Sequence, residues 1–170
     1  MKGIMKDHEI QLQVNRETVH ILVSPNLTLM DMLRDQLGLT GTKNGCDMGD
    51  CGSCTVLANG KPQLSCMALA AEFDGGDIVT IEGLAHEGLL TPMQDAIHRH
   101  VAAQCGFCTP GIVIKLRALL AENSNPNDAA IQEALGSNIC RCTGYTKILS
   151  AVQEVIRGGA ERKSVVGDDP

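Results

Sequence analysis

Eight cysteines divide into two groups of four, and none is left over. Cys46, Cys51 and Cys54 share one glycine-rich loop, and Cys66 follows after eleven intervening residues. Cys105 and Cys108 lie in Gln-Cys-Gly-Phe-Cys-Thr-Pro-Gly, residues 104 to 111. Cys140 and Cys142 lie in Asn-Ile-Cys-Arg-Cys-Thr-Gly-Tyr, residues 138 to 145. Thiolates converging inside glycine-rich backbone are soft donors suited to a metal. Met1 to His8 carries charges and no apolar core, so no export signal is expected. Without export, eight cysteines read as metal ligands before disulfides, and a cytoplasmic location is expected.

The first group has the C-x4-C-x2-C…C rhythm of plant-type ferredoxins. Two ferric ions, two sulfides and four thiolates carry a net negative charge, and reduction adds another. Burying that anion is costly unless backbone N–H groups point at the sulfurs. Gly45, Gly49 and Gly52 permit the positive φ angles and close approach that such a loop requires. Zinc also takes four thiolates, but its usual pattern is two separated C-x2-4-C pairs. Three cysteines in one loop plus a distant fourth favour iron–sulfur over zinc.

The second group, Cys105-x2-Cys108 and Cys140-x-Cys142, is compatible with zinc on ligand type alone. Its surroundings tilt it toward [2Fe–2S]. The Cys-x-Cys pair is expected at a helix start, as is Cys108 before Thr109-Pro110, where the helix dipole favours anionic sulfur. Arg141 lies between two ligands and offsets cluster charge. Cys105-Gly-Phe-Cys108 lacks the βαβ context of a thioredoxin-like redox motif.

The elements that position these thiols follow from patterning. Ile10, Leu12 and Val14, then Val19, Ile21 and Val23, alternate as a hairpin with Asn15 at its turn. Thr28 caps a helix carrying Leu29, Met30, Leu33 and Leu37, and Gly38 stops it. Thr55 to Ala58 and a return strand ending at Cys66 flank the turn signal Asn59-Gly60. Asp77 to Ile81 is expected as a last strand. Strands around one helix make a small α+β domain. Residues 83 to 90 read as a surface connector. Thr91-Pro92 with Gln94, Thr109-Pro110, Asn125-Pro126 and Gly144 then announce four short helices, a small bundle. The polar, glycine-rich end from Gly158 reads as a tail.

Composition narrows the function. A charge of −6 argues against nucleic acid. No apolar run is long enough for a membrane span. Phe73, Phe107 and Tyr145 are the only aromatics, too few to line a substrate pocket. His8, His20, His86, His98 and His100 share no ligand spacing, and Met30, Met32, Met67 and Met93 read as core. No Ser-His-Asp arrangement, P-loop or dinucleotide fingerprint is visible, so no catalytic residue is assigned.

Taken together, the two cysteine motifs resemble the iron–sulfur subunit of the molybdenum hydroxylases, the family of xanthine dehydrogenase, aldehyde oxidoreductase and carbon monoxide dehydrogenase. The resemblance spans roughly residues 9 to 157. Gly136-Ser137-Asn138 departs from a family pattern of Gly-Asn directly before Ile-Cys. The resemblance implies an α+β fold: a plant-type ferredoxin-like β-grasp domain over residues 1–82, a four-helix bundle domain over 83–157, and a tail over 158–170. It implies one [2Fe–2S] cluster on Cys46, Cys51, Cys54 and Cys66 and another on Cys105, Cys108, Cys140 and Cys142. The second cluster would neighbour molybdopterin in a large subunit, with Cys142 touching the pterin and Gln104 beside it. The first would lie toward FAD on a medium subunit. The substrate inclines to an N-heteroaromatic. A free-standing ferredoxin-like carrier and a zinc-stapled interaction module are the alternatives. A soluble carrier needs only the first domain, which argues against the former.

Overall fold

The computed structural model describes residues 6–158. Its first part is a five-stranded mixed sheet in the order β2-β1-β5-β3-β4. Strands β1 (His8–Val14) and β2 (Glu17–Val23) pair antiparallel. Asn15 and Arg16 turn the chain between them with φ of 53° and 73°, the left-handed pair that a two-residue hairpin requires. β3 (Thr55–Ala58) and β4 (Lys61–Leu64) form a second hairpin around Asn59-Gly60. β5 (Asp77–Val79) runs parallel to β1 and antiparallel to β3, and so joins the hairpins.

The alternation in β1 puts Ile10, Leu12 and Val14 on the buried face. They pack with Val23, Val56 and Ile78 against Leu29, Met32 and Leu33. Each fully buried aliphatic side chain contributes roughly 1.5–3 kcal/mol. Thr28 caps α1 (Leu29–Asp31) as expected, its hydroxyl accepting from Asp31 N–H at 3.1 Å. The expected single helix to Leu37 widens at Met32 into a π-helical turn, Met32–Gln36. Two expected strand ends also differ. β4 stops at Leu64, and Cys66 sits on a 3-10 turn, Ser65–Met67. β5 stops at Val79, and Ile81 opens another 3-10 turn, Ile81–Gly83.

Four helices follow: α2 (Pro92–Arg99), α3 (Thr109–Glu122), α4 (Asp128–Gly136) and α5 (Thr146–Gly158). With α1, the described residues hold five α-helices. The Thr91–Gln94 capping box forms in both directions, and Asn127 caps α4. At α3 the expectation fails. Cys108, not Thr109, is the N-cap residue. Helices α2, α3, α4 and α5 share a core of Ile97, Ile112, Leu116, Ile131, Ile148 and Val152. Helix α3 is also apolar on a second face: Ile114 and Ala118 pack on Leu57 of β3. It therefore seats the helices directly on the sheet, which a self-contained bundle would not do. Gly158 ends α5, and the rest of the expected tail lies outside the described residues. No described helix is long and apolar enough to cross a membrane.

Candidate metal centres

None of the eight cysteines forms a disulfide, and each group resolves into two side-by-side pairs. In the first loop Cys46 Sγ accepts the Cys51 N–H at 3.3 Å and lies against the Cys51 thiol. Cys54 and Cys66 make the second pair, with Ser65 Oγ locking that turn by donating to the Cys54 carbonyl at 2.6 Å. In the second group Cys142 and Cys105 stand 3.6 Å apart, sulfur to sulfur. Cys108 pairs with Cys140. All eight expected ligand residues are therefore gathered into two sites of four.

Electrostatics distinguish the members of these pairs. Backbone N–H groups of Met48 and Cys51 draw the Cys46 thiol down to about 7. Burial, with the neighbouring Cys54, pushes Cys66 up to about 12. Burial and Cys140 do the same to Cys108, also about 12. For Cys140 burial acts upward, but the Thr143 hydroxyl and amide and the Cys108 thiol outweigh it and hold the group low. Cys105 raises Cys142. Crowded thiols oppose one another's ionisation, and a bound cation relieves that opposition.

The donor set fits a binuclear cluster. A [2Fe–2S] cluster takes two thiolates on each of two irons, and the thiols here stand in pairs. Glycine backbone supplies the close approach. A Cβ on Gly45 would stand 2.8 Å from Cys51 Sγ, and Gly49 and Gly52 have φ of +84° and +71°.

The second site is held by a hydroxyl. Tyr145 Oη accepts the Cys140 N–H at 2.7 Å and donates to the Asn138 carbonyl at 2.9 Å. Helix α5 begins only at Thr146, so the Cys-x-Cys pair precedes that helix start and does not form it. Cys108 does sit at the N-terminus of α3. Gln104, Cys105, Arg141 and Cys142 are all exposed. His100, five residues before Cys105, is engaged with a carboxylate: its Nε2 meets Glu154 at 2.5 Å. Met30, Met32 and Met93 are core as expected, but Met67 is 60% exposed and lies over Gly49.

Sequence reasoning missed the contact between the two sites. Asn138 is buried, and its Nδ2 donates to the Gly52 carbonyl at 2.7 Å. The Ile139 N–H donates to the Cys51 carbonyl at 2.9 Å. Phe107, from between Cys105 and Cys108, reaches Gly45 of the first loop. The Gly-Ser-Asn departure noted above falls on this contact, which was its only signal.

Two thiol sites of four, one on a ferredoxin-like α+β sheet and one among helices, define an iron–sulfur protein with two redox centres. Residues 12–78 match the family model described as 2Fe-2S iron-sulfur cluster binding domain, and residues 80–153 match the one described as [2Fe-2S] binding domain. The nicotinate dehydrogenase small FeS subunit of Eubacterium barkeri is 44% identical over 147 residues, 86% of this chain and 94% of that one. Quinoline 2-oxidoreductase from Pseudomonas putida 86 has a chain with TM-score 0.90 and 42% identity, covering 95% of this chain and 99% of that one. The aldehyde oxidoreductase from Desulfovibrio gigas matches at TM-score 0.85 and 35% identity, covering 96% of this chain but 19% of the other. The chain belongs to the small iron–sulfur subunits of the molybdenum hydroxylases, the electron-transfer subunits of these oxidoreductases.

Proposed function

We propose that Cys46 and Cys51 bind one iron and Cys54 and Cys66 the other of the first cluster, and that Cys105/Cys142 and Cys108/Cys140 do the same in the second. The observation that carries this is the sorting of eight thiols into four adjacent pairs, two per site. Each cluster, when bound, supplies a one-electron redox step. This chain holds the two sites in fixed register, with backbone N–H groups aimed at sulfur. Substrate is oxidised in a large molybdopterin-binding subunit. The helical site faces that subunit, and the sheet site faces FAD on a medium subunit. The exposure of Cys105 and Cys142 supports an adjoining large subunit.

Gln104 and Cys142 meet the pterin in this reading. Gln104 is exposed, and its amide makes no hydrogen bond among the described residues, so both its donor and its acceptor are available to a ring edge. The named substrates of the relatives, nicotinate and quinoline, support an N-heteroaromatic substrate. We place the domain boundary between residues 82 and 83, near the gap between the two family matches. We read α2, α3, α4 and α5 as a small four-helix bundle, supported by their shared core. A reducing cytoplasm suits eight thiols held as ligands.

Metal and sulfide analysis of the purified complex tests the reading. Four irons and four sulfides per copy of this chain are expected, with two distinct EPR signals on reduction. Cys46→Ser or Cys54→Ser should abolish one signal and leave the other. One zinc in place of two irons at either site would refute the assignment there.

A further inference from the structure

We propose that Asn138, in the loop between α4 and α5, orients and polarises the Gly52–Ser53 peptide so that the Ser53 N–H serves the first site, and thereby raises the reduction potential of the cluster held there. The inference rests on reading Cys46, Cys51, Cys54 and Cys66 as that cluster's ligands. Asn138 is 1% exposed and donates through Nδ2 to the Gly52 carbonyl at 2.7 Å, across 86 residues of sequence. The same carbonyl accepts from Thr55 N–H and Thr55 Oγ1, at 3.1 and 2.6 Å, so three donors fix its direction. No peptide bond among the described residues is cis. In a trans peptide the N–H points opposite to the carbonyl. The Ser53 N–H is therefore turned away from Asn138.

Ser53 is buried, and its N–H finds no acceptor among the described residues. Buried backbone N–H groups are very rarely left unpaired, so a partner is implied. Sulfur is at hand. Cys51 Sγ and Ser53 Oγ lie 2.8 and 3.4 Å from one point, the place a Cβ on Gly45 would occupy. A donor directed at cluster sulfur stabilises the reduced, more negative state and raises the potential. A hydrogen bond accepted by a peptide carbonyl also strengthens its own N–H as a donor. Asn138 thus acts through the peptide and touches no iron, as a positioning residue.

The geometry leaves no slack. A Cβ on Gly52 would meet the Ser137 carbonyl at 2.2 Å, and one on Gly111 would meet the Gly52 carbonyl at 2.4 Å.

The test is an EPR-monitored redox titration of the purified complex carrying Asn138→Leu, which keeps the volume and removes the donor. Iron and sulfide are counted first in the unmodified complex; fewer than four of each would refute the ligand assignment itself, before Asn138 is judged. The signal absent from Cys46→Ser marks the first site. In Asn138→Leu its midpoint should move to lower potential while that of the second signal stays. Unmoved midpoints, or both moving together, would overturn the proposal. If Asn138→Leu loads poorly, Asn138→Ser, one atom too short to reach Gly52, should give the same selective shift. Independently of any variant, 15N-serine labelling of the native complex should place a 15N coupling on the first signal. Its absence would overturn the proposal as well.

Discussion

Three glycine-to-alanine changes separate backbone strain from crowding where the two thiol sites meet. Gly60 has φ of +76° with nothing within 4 Å of a new Cβ, so alanine there meets only left-handed strain. That strain costs about 1–2 kcal/mol. At Gly111, whose φ lies outside the left-handed range, a Cβ would stand 2.4 Å from the Gly52 carbonyl and 2.7 Å from Asn138 Nδ2. Such overpacking costs about 1–3 kcal/mol, and the helix gains back about 0.5–1 from replacing glycine. Gly52 combines both effects: φ is +71°, and the new Cβ would meet the Ser137 carbonyl at 2.2 Å. Its expected loss is the sum, about 2–5 kcal/mol. At this chain length each kcal/mol lowers the melting midpoint by about 2–4 °C. Anaerobic denaturant unfolding, followed by far-ultraviolet circular dichroism and by loss of visible absorbance, reads the order. Gly52→Ala should be the least stable and should lose its colour earliest. Equal midpoints for Gly52→Ala and Gly60→Ala would refute the claim that the sites meet at these atoms.

Two further outcomes follow from hydrogen bonds already described. Tyr145→Phe removes the hydroxyl that spans Asn138 and Cys140, and should cost about 1–3 kcal/mol by leaving a partly buried N–H and carbonyl unpaired; the EPR signal retained in Cys46→Ser should broaden while the other stays sharp. Glu154 is held below the ordinary carboxylate value by His100 and then by Arg99. A depressed carboxylate contributes stability that is present above its unfolded value and lost as pH falls through its folded value. Glu154→Gln should therefore flatten the acid limb of the stability–pH curve below the ordinary glutamate range, and an unchanged slope would exclude this tie between α2 and α5.

What could be read in advance, and what could not, divides along sequence distance. Cys46, Cys51 and Cys54 declare themselves because their spacing is set within one loop, and Asn59-Gly60 declares a turn because both residues tolerate positive φ. The Thr91–Gln94 cap is equally local. The partner of each thiol is not local. Cys105 stands beside Cys142 and Cys108 beside Cys140 only once the chain from α3 to α4 folds back on itself. Ile114 on α3 is buried by Leu57 of β3, a partner more than fifty residues away that no local pattern names. Met67 read as core by residue type, yet it covers a glycine from outside, because a glycine in the loop leaves no side chain for it to pack against inside. Asn138 and Gly52 are the extreme case. One is an ordinary loop amide and the other an ordinary loop glycine, and neither type signals a partner 86 residues away. Their fit still decides how the halves join. Gly52 must be glycine for its own φ, for the Ser137 carbonyl and for Asn138 at once. A residue constrained by the sheet loop, the α4–α5 loop and α3 together makes the two sites one rigid unit, which a subunit that passes electrons between fixed centres requires.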